Sequence, residues 1–111
     1  MLASAKVRYL RTTTRKLGYL LVPLRKRTVA EALVMLSVTN RRAAKPVAKL
    51  IASAFANARQ TNPTLREDEV IITRATADEG PTWKRFRAAA FGRAAPILKR
   101  TSHVTIELDK K

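Results

Sequence analysis

Near both ends of the chain, apolar and polar positions alternate with a period of two. Residues 5–11 alternate small or apolar side chains with bases, and the face expected to pack carries Ala5, Val7 and Tyr9. Residues 103–108 alternate in the same way, with an inward face of Val104, Ile106 and Leu108. A β-branched run, Val70 to Thr73, continues with Arg74 to Ala77 as a further strand. A period of two is typical of half-buried strands, so these segments predict three strands.

The segments between these strands have helical periodicity. The first carries leucines at 17, 20, 21 and 24, and we expect it to end near Leu21 or Val22 because a helix does not continue into Pro23. The second begins with a capping box, Thr28 to Glu31, and its buried stripe is Val29, Ala32, Leu33 and Leu36. The third begins near Ala43 and is the longest, with a stripe of Val47, Leu50, Ile51, Ala54, Phe55 and Ala58.

Residues 78–102 separate the last two strands by far more than a hairpin loop needs. A segment of that length is either functional or disordered. No internal repeat and no Ser/Gly-rich linker divides the 111 residues. We therefore expect one α+β domain that carries a long excursion.

The charge is strongly unbalanced, with 23 Lys and Arg against 8 Asp and Glu and a net charge of +15. Glu31 is the only acid before Glu67, and residues 80–106 contain none. Such a chain repels itself unless a polyanion neutralises it, which favours nucleic acid as the partner. An anionic membrane surface is the main alternative, but its binders concentrate bases on one amphipathic helix. The apolar run at 19–24 is too short to span a membrane.

The sequence offers little for catalysis or metal binding. It has no cysteine, and its one histidine is His103, so neither a two-histidine metal site nor a Cys-His pair can form. We expect no enzymatic activity, no metal and no cofactor, and we expect His103 to contact RNA or pack against the sheet. The first residues do not read as a secretory signal, which favours the cytoplasm.

Several runs of the chain together resemble one known family. They are Asp78-Glu79-Gly80-Pro81, Lys84-Arg85, Gly92-Arg93-Ala94 and Leu98-Lys99-Arg100-Thr101-Ser102-His103, with Thr14-Arg15-Lys16, Thr39 to Ala44 and Ser53 to Ala58 earlier in the chain. In order and spacing they resemble the large-subunit ribosomal protein twenty-two family over nearly the whole length.

This resemblance implies a fold in which a small antiparallel three-stranded sheet packs on three helices and one long β-hairpin protrudes. A single domain, residues 1–111, would comprise a body at 1–78 and 101–111 and a hairpin at 79–100. The resemblance implies that Lys99 to His103 lie at the hairpin base and that the tip lines the polypeptide exit tunnel through Ala88, Ala89, Ala90, Phe91, Gly92 and Arg93. This tip is more apolar than is usual in the family.

The implied function is that of a structural constituent of the large ribosomal subunit that supports its assembly. The expected partners are large-subunit ribosomal RNA, neighbouring ribosomal proteins and the nascent polypeptide, with no membrane and no homo-oligomer. The expected location is the cytoplasm, with an organellar ribosome as the alternative. Charge and resemblance together predict RNA contacts by Lys6, Arg8, Arg11, Arg15, Lys16, Arg41, Arg42, Lys45, Lys49, Lys84, Arg85, Arg87, Arg93, Lys99, Arg100, Thr101, Ser102 and His103.

Some alternatives stay open on the sequence alone. The helices at 28–37 and 41–58 could form a helix-turn-helix, which would make the chain a DNA-binding regulator. A small RNA-processing enzyme is a third possibility. Trp83 would either stack on a base or pack one hairpin arm against the body. Asn57 would bond RNA or a neighbouring loop.

Overall fold

The computed structural model describes the backbone of residues 2–88 and 94–111, and the side chains of 2–84 and 98–111. The described helices are α1 (Thr14–Leu21), α2 (Val29–Ser37) and α3 (Ala44–Thr61). The described strands are β1 (Ala3–Leu10), β2 (Val70–Glu79), β3 (Trp83–Ala88), β4 (Ala94–Lys99) and β5 (Ser102–Lys110).

Two antiparallel sheets organise the strands. The first has three strands in the order β1-β5-β2, and the second is the two-stranded ribbon β3-β4. In the ribbon, Trp83 pairs with Lys99 and Ala88 pairs with Ala94. The molecule is elongated, measuring 64 × 25 × 16 Å along its principal axes. The predicted α+β fold, a three-stranded sheet with three helices and a long hairpin, is confirmed.

The hydrophobic core lies between the helices and one face of the three-stranded sheet. The central strand contributes Val104, Ile106 and Leu108, all completely buried, as their alternation predicts. Because Ile106 pairs with Ala5 on one side and Ala75 on the other, the packed face continues across all three strands. The helices cover it with their predicted stripes, of which Leu17, Val29, Ala32, Val47, Ile51, Ala54 and Ala58 are completely buried.

The helix ends follow the local sequence signals. The N–H of Lys16 donates to Thr13 Oγ1 at the start of α1, and that helix gives way to a 3-10 turn, Val22–Leu24, that contains Pro23. The N–H of Glu31 donates to Thr28 Oγ1 at 3.2 Å, as the capping box predicts. The Glu31 carboxylate lies 3.6 Å from Arg27.

Strand β1 contains a β-bulge that changes one prediction. Val7 pairs with Val104 and Leu10 with Ser102, so two residues, Arg8 and Tyr9, lie opposite the single His103. Tyr9 takes a left-handed backbone conformation with φ of 59°, and its side chain is 60% exposed. The inward position predicted for Tyr9 is wrong, because a bulge adds a residue and shifts the alternation.

Hydrogen bonds to backbone groups hold the base of the hairpin. The N–H of Gly80 donates to the carbonyl of Thr101 at 2.9 Å, and the Thr101 hydroxyl donates to the carbonyl of Pro81 at 2.7 Å. The Ser102 hydroxyl donates to the carbonyl of Thr12 at 2.6 Å. A Cβ on Gly80 would lie 2.6 Å from Thr101 Oγ1. The close approach of the two arms therefore requires glycine at this position.

Among the described residues, no helix is both long and apolar enough to cross a membrane.

Candidate nucleic-acid interface

Basic side chains from distant parts of the sequence converge beside the last residue of β1. A depression of 750 Å³ lies there between the ends of β1, α1 and α3. The bases that line it are Arg11, Lys16, Arg41 and Arg42. Arg11 and Arg42 are far apart in sequence, so tertiary packing alone brings them together.

This depression continues onto the base of the hairpin. A second depression, of 350 Å³, shares Arg11 and Lys16 with the first and adds Lys99 and Arg100. A third, of 340 Å³, shares Arg100 and adds Lys84 together with one acid, Glu79. We call the combined surface the hairpin-base groove, and its bases are Arg11, Lys16, Arg41, Arg42, Lys84, Lys99 and Arg100.

Contacts within the protein hold parts of this groove in place. The guanidinium of Arg41 lies 5.6 Å from the centre of the Tyr19 ring, within the range of a cation-π contact. The N–H of Thr12 donates to the carbonyl of Leu10 at 2.8 Å, and the carbonyl of Thr12 accepts from Ser102. These bonds fix the turn that carries Arg11 against the base of the hairpin.

The opposite end of the central strand is acidic. Glu67, Asp68 and Glu69 form a 3-10 turn, and the N–H of Lys111 donates to the carbonyl of Glu69 at 2.9 Å. Arg66 lies 3.5 Å from Asp68 and 3.2 Å from Glu69. We call this region the acidic end. It is separated from the groove by the length of β5, roughly 26 Å for a strand of that size, so the molecule is electrically polar along this axis.

The other predicted RNA-binding bases lie outside the groove. Lys6 and Arg8 are exposed on β1 and project from the sheet face that the helices leave uncovered. Arg15 lines a separate depression beside Gly18 and Tyr19. Lys45 and Lys49 are exposed on α3, in the row one turn apart that their spacing predicts.

The outer part of the hairpin is described only in part. Arg85, Arg87 and Ala88 are positions of β3 whose backbone pairs with β4. The remaining predicted tip residues, Ala89, Ala90, Phe91, Gly92 and Arg93, lie outside the described residues. The tunnel-lining role of the tip stays a prediction.

Three residues predicted to contact RNA have side-chain polar atoms that bond to the protein itself. Thr101 is 5% exposed and Ser102 is completely buried, and both hydroxyls donate to backbone carbonyls. Nδ1 of His103 accepts from the N–H of Tyr9 at 3.1 Å, and the two rings meet edge to face. These side chains secure the junction of hairpin and body, a role that their position in the sequence does not reveal.

Sequence patterns missed the groove as a unit and the outward position of Tyr9 beside it. A bulge and the mutual position of α1, α3 and the hairpin decide which bases meet, and neither has a local sequence signal.

Asn57, left open above, donates to the carbonyl of Ser4 at 3.2 Å and so ties α3 to β1. Phe55 is buried in the core, as predicted. Within the described residues no group of three His, Cys, Asp or Glu side chains could hold a metal ion.

Comparison with known proteins identifies relatives over the full length. The family model for ribosomal protein L22p/L17e matches residues 5–109. The large ribosomal subunit protein uL22 of Macrococcus caseolyticus is 44% identical over 111 residues, covering 100% of this chain and 89% of that protein. The uL22 of Staphylococcus aureus strain JH9 is 43% identical over 106 residues, covering 96% of this chain and 90% of its own.

Proposed function

Because the chain belongs to the ribosomal protein L22p/L17e family, and is therefore a structural constituent of the large ribosomal subunit and not an enzyme, we propose that it binds ribosomal RNA through the hairpin-base groove. In this proposal the protein acts in the cytoplasm, supports assembly of the subunit, and lines the polypeptide exit tunnel with its hairpin.

The convergence of bases in the groove is the observation that carries the RNA-binding part. Segments around Arg11, Arg41 and Arg100 meet at one surface, where the lining acid is Glu79. Lys and Arg at this density would repel one another without a partner. Phosphates of an RNA backbone neutralise them, and binding then releases counterions from the RNA.

The shape of the molecule supports the tunnel-wall part. The ribbon β3-β4 pairs only within itself among the described strands, and it extends a molecule that is 64 Å long but only 25 Å wide. Such a ribbon can enter a passage that the body cannot. We propose residues 79–100 as the inserted hairpin, residues 1–78 and 101–111 as the body, and neighbouring ribosomal proteins and the nascent polypeptide as further contacts.

The helix-turn-helix alternative finds less support in the structure. A recognition helix needs a free face with side chains that reach base edges. The apolar stripe of α3 packs on β1 and β5, and its exposed middle carries small residues such as Ala52 and Ala56. DNA readout by α3 would also leave the groove and the hairpin without a role.

Salt dependence of binding tests the proposal with matched variants. The double variant Lys99→Gln and Arg100→Gln removes two groove charges, and the control Lys110→Gln and Lys111→Gln removes two charges near the acidic end. Affinity for a ribosomal RNA fragment is measured over a range of salt concentrations. Each lost phosphate contact lowers the slope of log K against log salt by about 1.

We expect the groove variant to lose up to about 2 from this slope and the control to lose almost nothing. Equal slopes for the two variants would show that charge binds RNA without regard to position, and the groove assignment would then be wrong.

A further inference from the structure

The surface beside the hairpin-base groove has a second kind of side chain, the exposed aromatic ring. Tyr9 and Trp83 line one depression of 480 Å³ together with Arg11, Lys99 and Thr101. Tyr9 is 60% exposed and Trp83 is 55% exposed. Large aromatic rings are usually buried, so two of them at one exposed depression call for an explanation.

We propose that this depression is a binding site for one unpaired RNA base, which stacks on Tyr9 and contacts Trp83 while Arg11 and Lys99 bind its flanking phosphates. The inference rests on the proposed function and deepens it, because it assigns an unstacked single-stranded nucleotide to a defined place. Single-stranded RNA is recognised by aromatic side chains that accept bases and by cations that follow the backbone.

The backbone of Tyr9 supports this assignment. Its φ of 59° is costly for a bulky aromatic residue. The bulge opposite His103 turns the ring away from the core. Tyrosine here therefore gains only partial burial to offset the strain of its backbone. Strained conformations of this kind are concentrated at binding sites, where the surrounding structure holds them.

The ring of Tyr9 is also fixed in place. The N–H of Tyr9 donates to Nδ1 of His103 at 3.1 Å. The two rings meet edge to face, at an interplanar angle of 87° and a centroid separation of 5.0 Å. An edge-to-face contact supports the ring at its side and leaves a ring face for another partner. A preorganised ring loses little entropy when a base stacks on it.

The composition of the depression excludes two other uses. The hydroxyl of Thr101 is committed to the carbonyl of Pro81, so it is not a reactive group. Arg11 and Lys99 border the aromatic rings, whereas a purely apolar protein partner would have to bury both charges unpaired. The volume of 480 Å³ is in the range of sites that hold small organic groups. A base attached to a ribose phosphate satisfies both the rings and the charges.

Tryptophan fluorescence offers a direct test, because Trp83 is the single tryptophan of the chain. The probes are a single-stranded adenosine hexanucleotide and an abasic hexamer with the same phosphates and no bases. Stacking should quench the emission of Trp83 with the adenosine hexamer and not with the abasic one. Equal responses to the two probes would overturn the proposal, since phosphate binding alone would then explain both.

Variants of Tyr9 distinguish the effect of the aromatic ring on binding from any effect on folding. Tyr9→Gly removes the ring and relieves the positive φ, so the protein should still fold, and Tyr9→Phe keeps the ring. We expect Tyr9→Gly to bind the adenosine hexamer roughly tenfold more weakly than the parent protein. Its affinity for the abasic hexamer should be unchanged. Tyr9→Phe should bind the adenosine hexamer with nearly the parent affinity. The matched control is Val34→Ala, which truncates a large exposed side chain outside this depression.

The outcomes distinguish the two proposals. If Tyr9→Gly binds the adenosine hexamer as tightly as the parent, the stacking site is wrong while the groove stands. If the unaltered protein binds neither hexamer nor a ribosomal RNA duplex at low salt, the proposed function itself is wrong.

Discussion

The two ends of the central strand β5 are built on different principles. At the hairpin base, Ser102 and Thr101 bond to backbone carbonyls and the surface is basic. At the acidic end, Arg66 forms exposed ion pairs with Asp68 and Glu69. Exposed ion pairs add little stability, whereas buried hydrogen bonds are costly to break. The rigid end therefore coincides with the end that we propose binds RNA.

This difference has a consequence for binding. A groove that binds phosphates must keep its cations at fixed spacing, and a rigid base keeps the hairpin arms aligned with the body. Under the proposed function, the acidic end offers RNA much less positive charge than the groove, which favours an approach with the groove first. Charge and rigidity together would then orient the protein.

The largest loss of stability should come from a core substitution in β5, the strand that joins the two ends. Ile106 is completely buried at the centre of β5. We expect Ile106→Ala to lower the free energy of unfolding by about 2–5 kcal/mol, measured by urea denaturation. The control is Val38→Ala on α2's exposed end, where the side chain is 80% exposed and the change should be below about 0.5 kcal/mol. Similar losses in both variants would contradict the position of the core.

A smaller effect should appear at the hairpin base alone. Gly80→Ala places a Cβ 2.6 Å from Thr101 Oγ1, so the Thr101 hydroxyl must move and its bond to Pro81 is lost. We expect a loss of about 1–3 kcal/mol in thermal or urea unfolding.

The matched control for that variant is Gly18→Ala. Nothing lies within 4 Å of a Cβ at Gly18, and alanine is the better helix former by about 0.5–1 kcal/mol. The two substitutions are chemically identical and should change stability in opposite directions. A stabilising Gly80→Ala would show that the arms are not held as closely as described.

The smallest expected effects come from removing one polar contact at each end of β5. Ser102→Ala removes the hydroxyl of a completely buried residue and leaves the carbonyl of Thr12 without this donor, and we expect a loss of about 1–2 kcal/mol. Arg66→Ala breaks ion pairs whose arginine side chain is 72% exposed, so its effect should stay below about 1 kcal/mol. If Arg66→Ala proves the costlier variant in urea unfolding, the contrast between the two ends is reversed.

Sequence patterns predicted the parts of the fold that depend on local physics. The end of α1 before Pro23, the cap at Thr28 and the inward face of Val104, Ile106 and Leu108 each follow from one residue type or one period. The overall charge also indicates a polyanionic partner, and that stays a prediction. These features need no knowledge of how the elements pack.

The parts that sequence patterns missed depend on packing. The bulge at Arg8 and Tyr9 requires the register of β1 against β5, and no residue in the strand marks it. The burial of Ser102 depends on the turn at Thr12, which is distant in sequence. The groove requires the mutual position of three elements. Such features arise from tertiary structure, and local alternation and propensity do not encode them.

Residue-resolved protein–RNA crosslinking in assembled large subunits tests the central claim most directly. We predict that crosslinks on the body concentrate at the hairpin-base groove, at Arg11, Arg42, Lys99 and Arg100 together with Tyr9, and avoid Glu67 to Glu69. Crosslinks that cluster at the acidic end and spare the groove would contradict the account.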